Sequence, residues 1–231
     1  MTAADAGGMP PEVRELPLAE ASRESLAGYG VFIGDDVDTP GLPIPFYQGS
    51  VVEGHNMPFE YRGRAVLRTA RIGRRGAEVR WLERHLGMTQ LFVGIGSEPF
   101  VMVLGLPTHE RALTVPRLGE IRAFRFRAGQ GVLLHRGTWH DFPMACRRAV
   151  TVLTANSEEV VETLARTPAP TELDTGDVFK IDVRRRLGTR LEVMLGAAGA
   201  RRSTGIRLSS NDPAGEPAPA VHLTPNTETR D

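Results

Sequence analysis

Gln90-Leu91-Phe92-Val93-Gly94-Ile95-Gly96-Ser97-Glu98-Pro99-Phe100-Val101-Met102-Val103-Leu104-Gly105-Leu106 is almost continuously apolar. Gly94, Gly96 and Pro99 punctuate it, because glycine and proline favour turns. The stretch therefore reads as two strands joined by a turn, and it is expected inside the fold. Downstream, residues 121–126 alternate apolar and charged: Ile121, Arg122, Ala123, Phe124, Arg125, Phe126. That period of two marks a half-buried strand. Gly129-Gln130-Gly131 turns the chain, and residues 132–135 and 149–154 supply further strands. Upstream, residues 66–72 read the same way. Short strands at regular spacing with glycine turns point to an all-β antiparallel barrel or sandwich, not a parallel α/β sheet.

Around this centre the ends are plainer. Residues 15–33 form a start segment with a short helical stretch around 22–27, stopped by Gly28-Tyr29-Gly30. Residues 34–45 are a loop rich in Asp, Gly and Pro. Residues 158–165 read as one helix, and residues 178–183 as an added edge strand. Beyond Gly196 large apolar residues are scarce, too few to repay ordering. The division expected is a disordered start (1–11), one domain (12–195) and a flexible tail (196–231).

Composition narrows the function classes. The chain has 231 residues, and Lys+Arg and Asp+Glu balance at 28 each. A nucleic-acid binder normally carries a basic surplus, so that class is set aside. Arg71, Arg74, Arg75 and Arg80 read as a solvated face. Cys146 is the one cysteine, so no intrachain disulfide forms, which fits a reducing, cytoplasmic compartment. No stretch approaches the roughly 20 apolar residues that span a bilayer, and no membrane partner is expected.

Two constellations carry candidate chemistry. In Trp81-Leu82-Glu83-Arg84-His85-Leu86-Gly87-Met88-Thr89-Gln90, the side chains of Glu83 and His85 share a face if the segment is a strand. Gln90 opens the next apolar strand. In Gly131-Val132-Leu133-Leu134-His135-Arg136-Gly137-Thr138-Trp139-His140-Asp141, Gly137 permits a tight bend before Trp139 and His140. Each residue also has a plainer reading. Glu83 and His85 are a possible surface pair, Gln90 can satisfy backbone groups, and His140 beside Trp139 can be a packed core histidine.

Together the motifs resemble the cupin pattern with substitutions. Glu83 stands for the first histidine, His85 is the second, Gln90 replaces the acid and His140 closes the set. Carboxylate, imidazole and amide oxygen are all workable ligands for a divalent first-row metal.

The element Leu82-Glu83-Arg84-His85 through Thr89-Gln90-Leu91-Phe92 is also similar to that of the ureidoglycolate lyase family. Gly131, Val132, His135, Trp139 and His140 match a second family element, and the likeness spans roughly residues 12–160. Three features depart from the family pattern. Asp141 and Phe142 replace the usual histidine and proline after Trp-His, Gln48-Gly49-Ser50 stands for an Asn-Gly turn, and Gly54 lies where a basic residue is common.

The resemblance implies a cupin-like barrel, or double-stranded β-helix, assembled as a homodimer. It implies conversion of (S)-ureidoglycolate to glyoxylate and urea, in purine and allantoin breakdown. Glu83, His85 and His140 would be catalytic. Gln48, Gln90, His135, Trp139 and Asp141 would bind the small carboxylate substrate. Glu83, His85, Gln90 and His140 would hold a divalent metal, nickel or zinc. The other readings are a lyase, isomerase or hydratase for another small hydroxy- or keto-acid, and a non-enzymatic small-molecule-binding cupin.

Overall fold

A computed structural model describes residues 11–37 and 41–195. The expectations for residues 1–10 and for the tail, 196–231, fall outside the described residues.

The strand Phe100–Gly105 is buried along its whole length. Phe100, Met102 and Leu104 join one core with Phe92, Val132, Leu134, Val152, Phe124 and Phe126. Val101 and Val103 join a second core with Leu16, Val79, Leu82, Trp139, Ile181, Leu191 and Val193. Successive side chains of a strand point to opposite faces. This strand is continuously apolar because it has a core on each side. A fully buried Phe, Met, Leu or Val contributes about 1.5–3 kcal/mol, so the strand is a main anchor of the fold.

Phe100–Gly105 belongs to an eight-stranded sheet. Its main path runs Leu173–Thr175, Val178–Asp182, Trp81–Arg84, Trp139–His140, Phe100–Gly105, Ile121–Phe126, Leu18–Glu20. A five-stranded sheet runs Gly30–Ile33, Gly131–Leu134, Gln90–Gly94, Val150–Ser157, Ala65–Ile72. The first core is shared between these two sheets. The second core joins the far face of the eight-stranded sheet to a smaller sheet of Glu12–Leu16, Thr189–Val193 and Glu78–Val79. Most pairings are antiparallel; Glu12–Leu16 with Thr189–Val193 and Leu18–Glu20 with Ile121–Phe126 are parallel. The fold is all-β and cupin-like.

The two strands expected of the apolar run form, and they do not pair with each other. Gln90–Gly94 pairs with Gly131–Leu134 and Val150–Ser157, whereas Phe100–Gly105 crosses to the other sheet. Val178–Asp182 is not an edge, because Leu173–Thr175 covers it. The stretch around residues 22–27 makes turns rather than a helix. There the Ser22 and Ser25 side chains hydrogen-bond the local backbone and compete with helical pairing. The expected later helix forms at Glu158–Arg166, with the Ser157 hydroxyl accepting the Val160 N–H at its start.

Candidate active site

Trp81–Arg84 sorts its side chains by alternation. Leu82 enters the second core. Arg84 faces the same way, its guanidinium 4.6 Å from the Trp139 ring centre and 4.9 Å from that of Phe179, donating to Thr108 Oγ1 and Leu113 O. Glu83, between them, is left on the opposite face toward the five-stranded sheet. Pairing then sets His140 directly across from Glu83. The turn before it is tied down where the Gly137 N–H donates to the His85 carbonyl at 2.7 Å. Gly137 sits at φ +78°, which glycine adopts without strain.

The two imidazoles are oriented by backbone carbonyls. His85 Nδ1 lies 2.6 Å from Asp177 O, and His140 Nδ1 lies 3.2 Å from Thr138 O. In the neutral ring a proton on Nδ1 leaves the Nε2 lone pair facing inward. The Asp177 carboxylate accepts the Leu86 and Gly87 N–H groups, both at 2.7 Å, and so holds the His85 loop. Glu83 Oε1 is 3.5 Å from His140 Nε2, and Glu83 Oε2 is 2.7 Å from Lys180 Nζ. Ligand atoms of Glu83, His85 and His140 all lie within 4.8 Å of one another.

Gln90 completes the set from the facing sheet. Its Nε2 donates to Asn156 Oδ1 at 2.6 Å, and Asn156 Nδ2 reaches Thr154 Oγ1 at 3.4 Å. This chain of bonds fixes the amide and leaves Gln90 Oε1 as a free acceptor. A cavity of about 370 Å3 lies beside Glu83, Gln90, Thr154, Asn156, Arg68 and Phe142. Phe92 closes the inner side, its ring 5.9 Å from His140 and 6.0 Å from Phe142.

Among the described residues, His85 Nε2, His140 Nε2 and Gln90 Oε1 have no hydrogen-bond partner, and Glu83 Oε1 faces one of those lone pairs. A buried acceptor without a donor costs about 1–3 kcal/mol. Converging acceptors are relieved by a cation, and this mixture of carboxylate, imidazole and amide oxygen suits a divalent first-row ion. The buried Glu83, His85 and His140 trio can hold a metal.

The electrostatics agree with that chemistry. Burial alone would raise the Glu83 pKa, but the His140 contact and the Lys180 ammonium outweigh it. The carboxyl is held far below its usual range. Burial pushes the His85 imidazole down, against the pull of Glu83, which keeps it neutral. Burial pushes Asp141 up, opposed by Arg75.

The remaining expected site residues are placed differently. Trp139 is fully buried in the second core, its Nε1 donating to Thr108 Oγ1 at 2.8 Å. Adjacent strand residues face opposite sides, so with His140 pointing to the site Trp139 points away. Asp141 is buried but turned to Arg75, with Nη2 to Oδ2 at 2.6 Å. His135 is exposed after its strand ends, its N–H donating to Tyr29 O. Gln48 is exposed at φ 51°, ending the short 3-10 turn Pro45–Tyr47.

Asn156 and Lys180 were missed. The first had a signal, since Val150, Val152, Thr154 and Asn156 share one buried face that turns polar toward its end. For Lys180 no local pattern announces a pairing across almost a hundred positions.

Fold and buried centre together define a cupin-like enzyme with a metal-capable carboxylate–imidazole site. The chain belongs to the ureidoglycolate lyase family, whose sequence model matches residues 23–171. It is 30% identical over 135 residues to the ureidoglycolate lyase of Pseudomonas putida strain F1, covering 55% of this chain and 75% of that one. It is 40% identical over 62 residues to that of Stutzerimonas stutzeri, 27% of this chain and 34% of the relative. Against that of Escherichia coli O1:K1 the identity is 38% over 73 residues, 32% and 42% of the two chains. No described helix is long and apolar enough to cross a membrane.

Proposed function

We propose that this chain is a carbon–nitrogen lyase that splits (S)-ureidoglycolate into glyoxylate and urea. The observation that carries the reading is the convergence of the buried, donor-free acceptors of His85, Gln90 and His140 beside the Glu83 carboxylate, within the region matched by the family. The substrate carbon bears a hydroxyl, a carboxylate and the ureido nitrogen. The hydroxyl proton leaves, its electron pair forms the aldehyde C=O, the C–N bond breaks, and the urea nitrogen takes a proton.

Glu83, His85, His140 and Gln90 would hold a divalent ion, nickel or zinc. When bound, such an ion stabilises negative charge developing on the substrate hydroxyl oxygen. The chain's own groups do the rest. Whichever of the His85 and His140 imidazoles is not held as a ligand accepts the hydroxyl proton at Nε2 and returns it to the leaving nitrogen. Asn156 fixes the Gln90 amide. Phe92 and Phe142 keep water from the reacting carbon.

The test is elemental analysis of purified protein with assays of glyoxylate and urea, on wild type, His85→Ala and His140→Ala. Joint loss of metal and of at least a hundredfold in rate assigns the histidines as ligands. Retained metal with the same rate loss assigns them to proton transfer. Full activity in both variants refutes the site. A wild type that releases no glyoxylate shifts the reading to another small hydroxy- or keto-acid on the same scaffold.

We further propose a homodimer. Phe46, Tyr47, Val52 and Phe59 are more than half exposed on one connecting segment, and a second copy would cover them. The lone Cys146 fits a reducing compartment such as the cytoplasm.

A further inference from the structure

The family match ends at residue 171, yet the chain beyond it returns to the site. Val178–Asp182 lies antiparallel to Trp81–Arg84 with Lys180 opposite Glu83. Opposed residues of neighbouring strands project from the same face. Ile181 is buried in the second core and Phe179 packs against it, which fixes the facing of the strand and turns Lys180 inward.

Lys180 Nζ sits 2.7 Å from Glu83 Oε2, and the side chain keeps 24% of its surface open. An ammonium has three N–H donors. Among the described residues Glu83 is the one ion-pair partner of this ammonium, so donors remain for a ligand. Lys180 also lines a second cavity of about 360 Å3, with Trp81, Leu173, Pro168 and Pro170. Leu164 lines both this cavity and the one beside Glu83, and Lys180 reaches the second through its contact with Glu83.

The charges of the site leave this cation a task. Asp141 is matched by Arg75, while Glu83 would repel an entering anion unless its charge were offset. Arg68 also lines the Glu83 cavity, but it is exposed at the rim.

We propose that Lys180, fixed on Glu83 by a strand outside the family match, binds the carboxylate of the substrate and sets the site's preference for small anionic hydroxy acids. The inference rests on the lyase reading for the reaction, but not for the binding of the acid.

The test uses full-length protein and two probes, glycolate and its uncharged counterpart glycolamide, titrated calorimetrically. Wild type binds glycolate better. Lys180→Gln weakens glycolate roughly tenfold or more, leaves glycolamide unchanged, and raises KM more than it lowers kcat. Lys180→Arg recovers part of the glycolate affinity, and keeps the test usable should the neutral variant fold poorly. Metal content, measured in parallel, stays at the wild-type level.

Unchanged glycolate affinity in Lys180→Gln overturns the inference. So does a loss that appears in Arg68→Gln instead, a loss that merely follows metal content, or a wild type that binds neither probe. Lys180-dependent glycolate binding with no glyoxylate from ureidoglycolate upholds Lys180 and removes the lyase reading.

Discussion

His85 and Glu83 are both held below their ordinary pKa, one by burial and the other by surrounding positive and hydrogen-bonding groups that overcome burial. Each binds fewer protons folded than unfolded once the pH drops below its ordinary value, 6.5 for His85 and 4.5 for Glu83. Stability contributed by such groups is present above the unfolded pKa and is lost on acidification. The denaturation midpoint of wild type should therefore fall as the pH drops from 7.5 to 5.5, where His85 and His135 are both held down by burial, and fall further below pH 4.5. His85→Gln should flatten the upper part of this profile in urea titrations. An unchanged slope in that variant would show that His85 is not kept neutral by its surroundings. The Glu83 and His85 pair was legible in the sequence because two-residue spacing is a local property. The same alternation, taken for the neighbours Trp139 and His140, turns Trp139 into the second core when His140 faces the site. Lys180 could not be read at all, since its partner is chosen by strand pairing and not by spacing.

At the level of elements, the turn around Gly137 joins both motifs. Its N–H is bonded to the His85 carbonyl, and three residues later the chain delivers His140 opposite Glu83. A methyl group at Gly137 would collide with the His109 ring, in a backbone conformation that L-residues avoid. The left-handed conformation alone costs about 1–2 kcal/mol, and relief of the clash must move either the turn or His109. Gly137→Ala should lose about 2 kcal/mol or more in chemical denaturation, with a fall in activity larger than the stability loss explains at 25 °C. A variant of full activity and stability would show that the turn does not position His140. The bend at Gly137 was visible in the sequence, while its bond to His85 was not, because that contact closes a loop of more than fifty residues.

Across the whole molecule, the second core decides where the functional chain stops. Thr189–Val193 pairs with Glu12–Leu16 near the start of the chain, and buries Leu191 and Val193 beside Leu16, Val79 and Leu82. Ile181 and Val183 fill the same layer from the preceding strand and helix. At about 1.5–3 kcal/mol each, these four residues contribute roughly 6–12 kcal/mol. That is comparable with the 5–15 kcal/mol that keeps an ordinary domain folded. Ending the chain at residue 171, where the family match stops, would strip this layer from Trp139 and Leu82, and would remove Lys180 with it. Residues 196–231, by contrast, are rich in Gly, Ala, Ser, Pro, Asn and Thr, a composition with little apolar surface to bury. A chain ending at Leu195 should thus express in soluble form with a thermal midpoint within a few degrees of the full protein and an unchanged KM. A chain ending at residue 171 should be insoluble or unfolded by circular dichroism. Soluble, active protein from the shorter chain would show that the second core and Lys180 are both dispensable, and loss of folding at Leu195 would show that the last thirty-six residues hold structural weight their composition does not reveal.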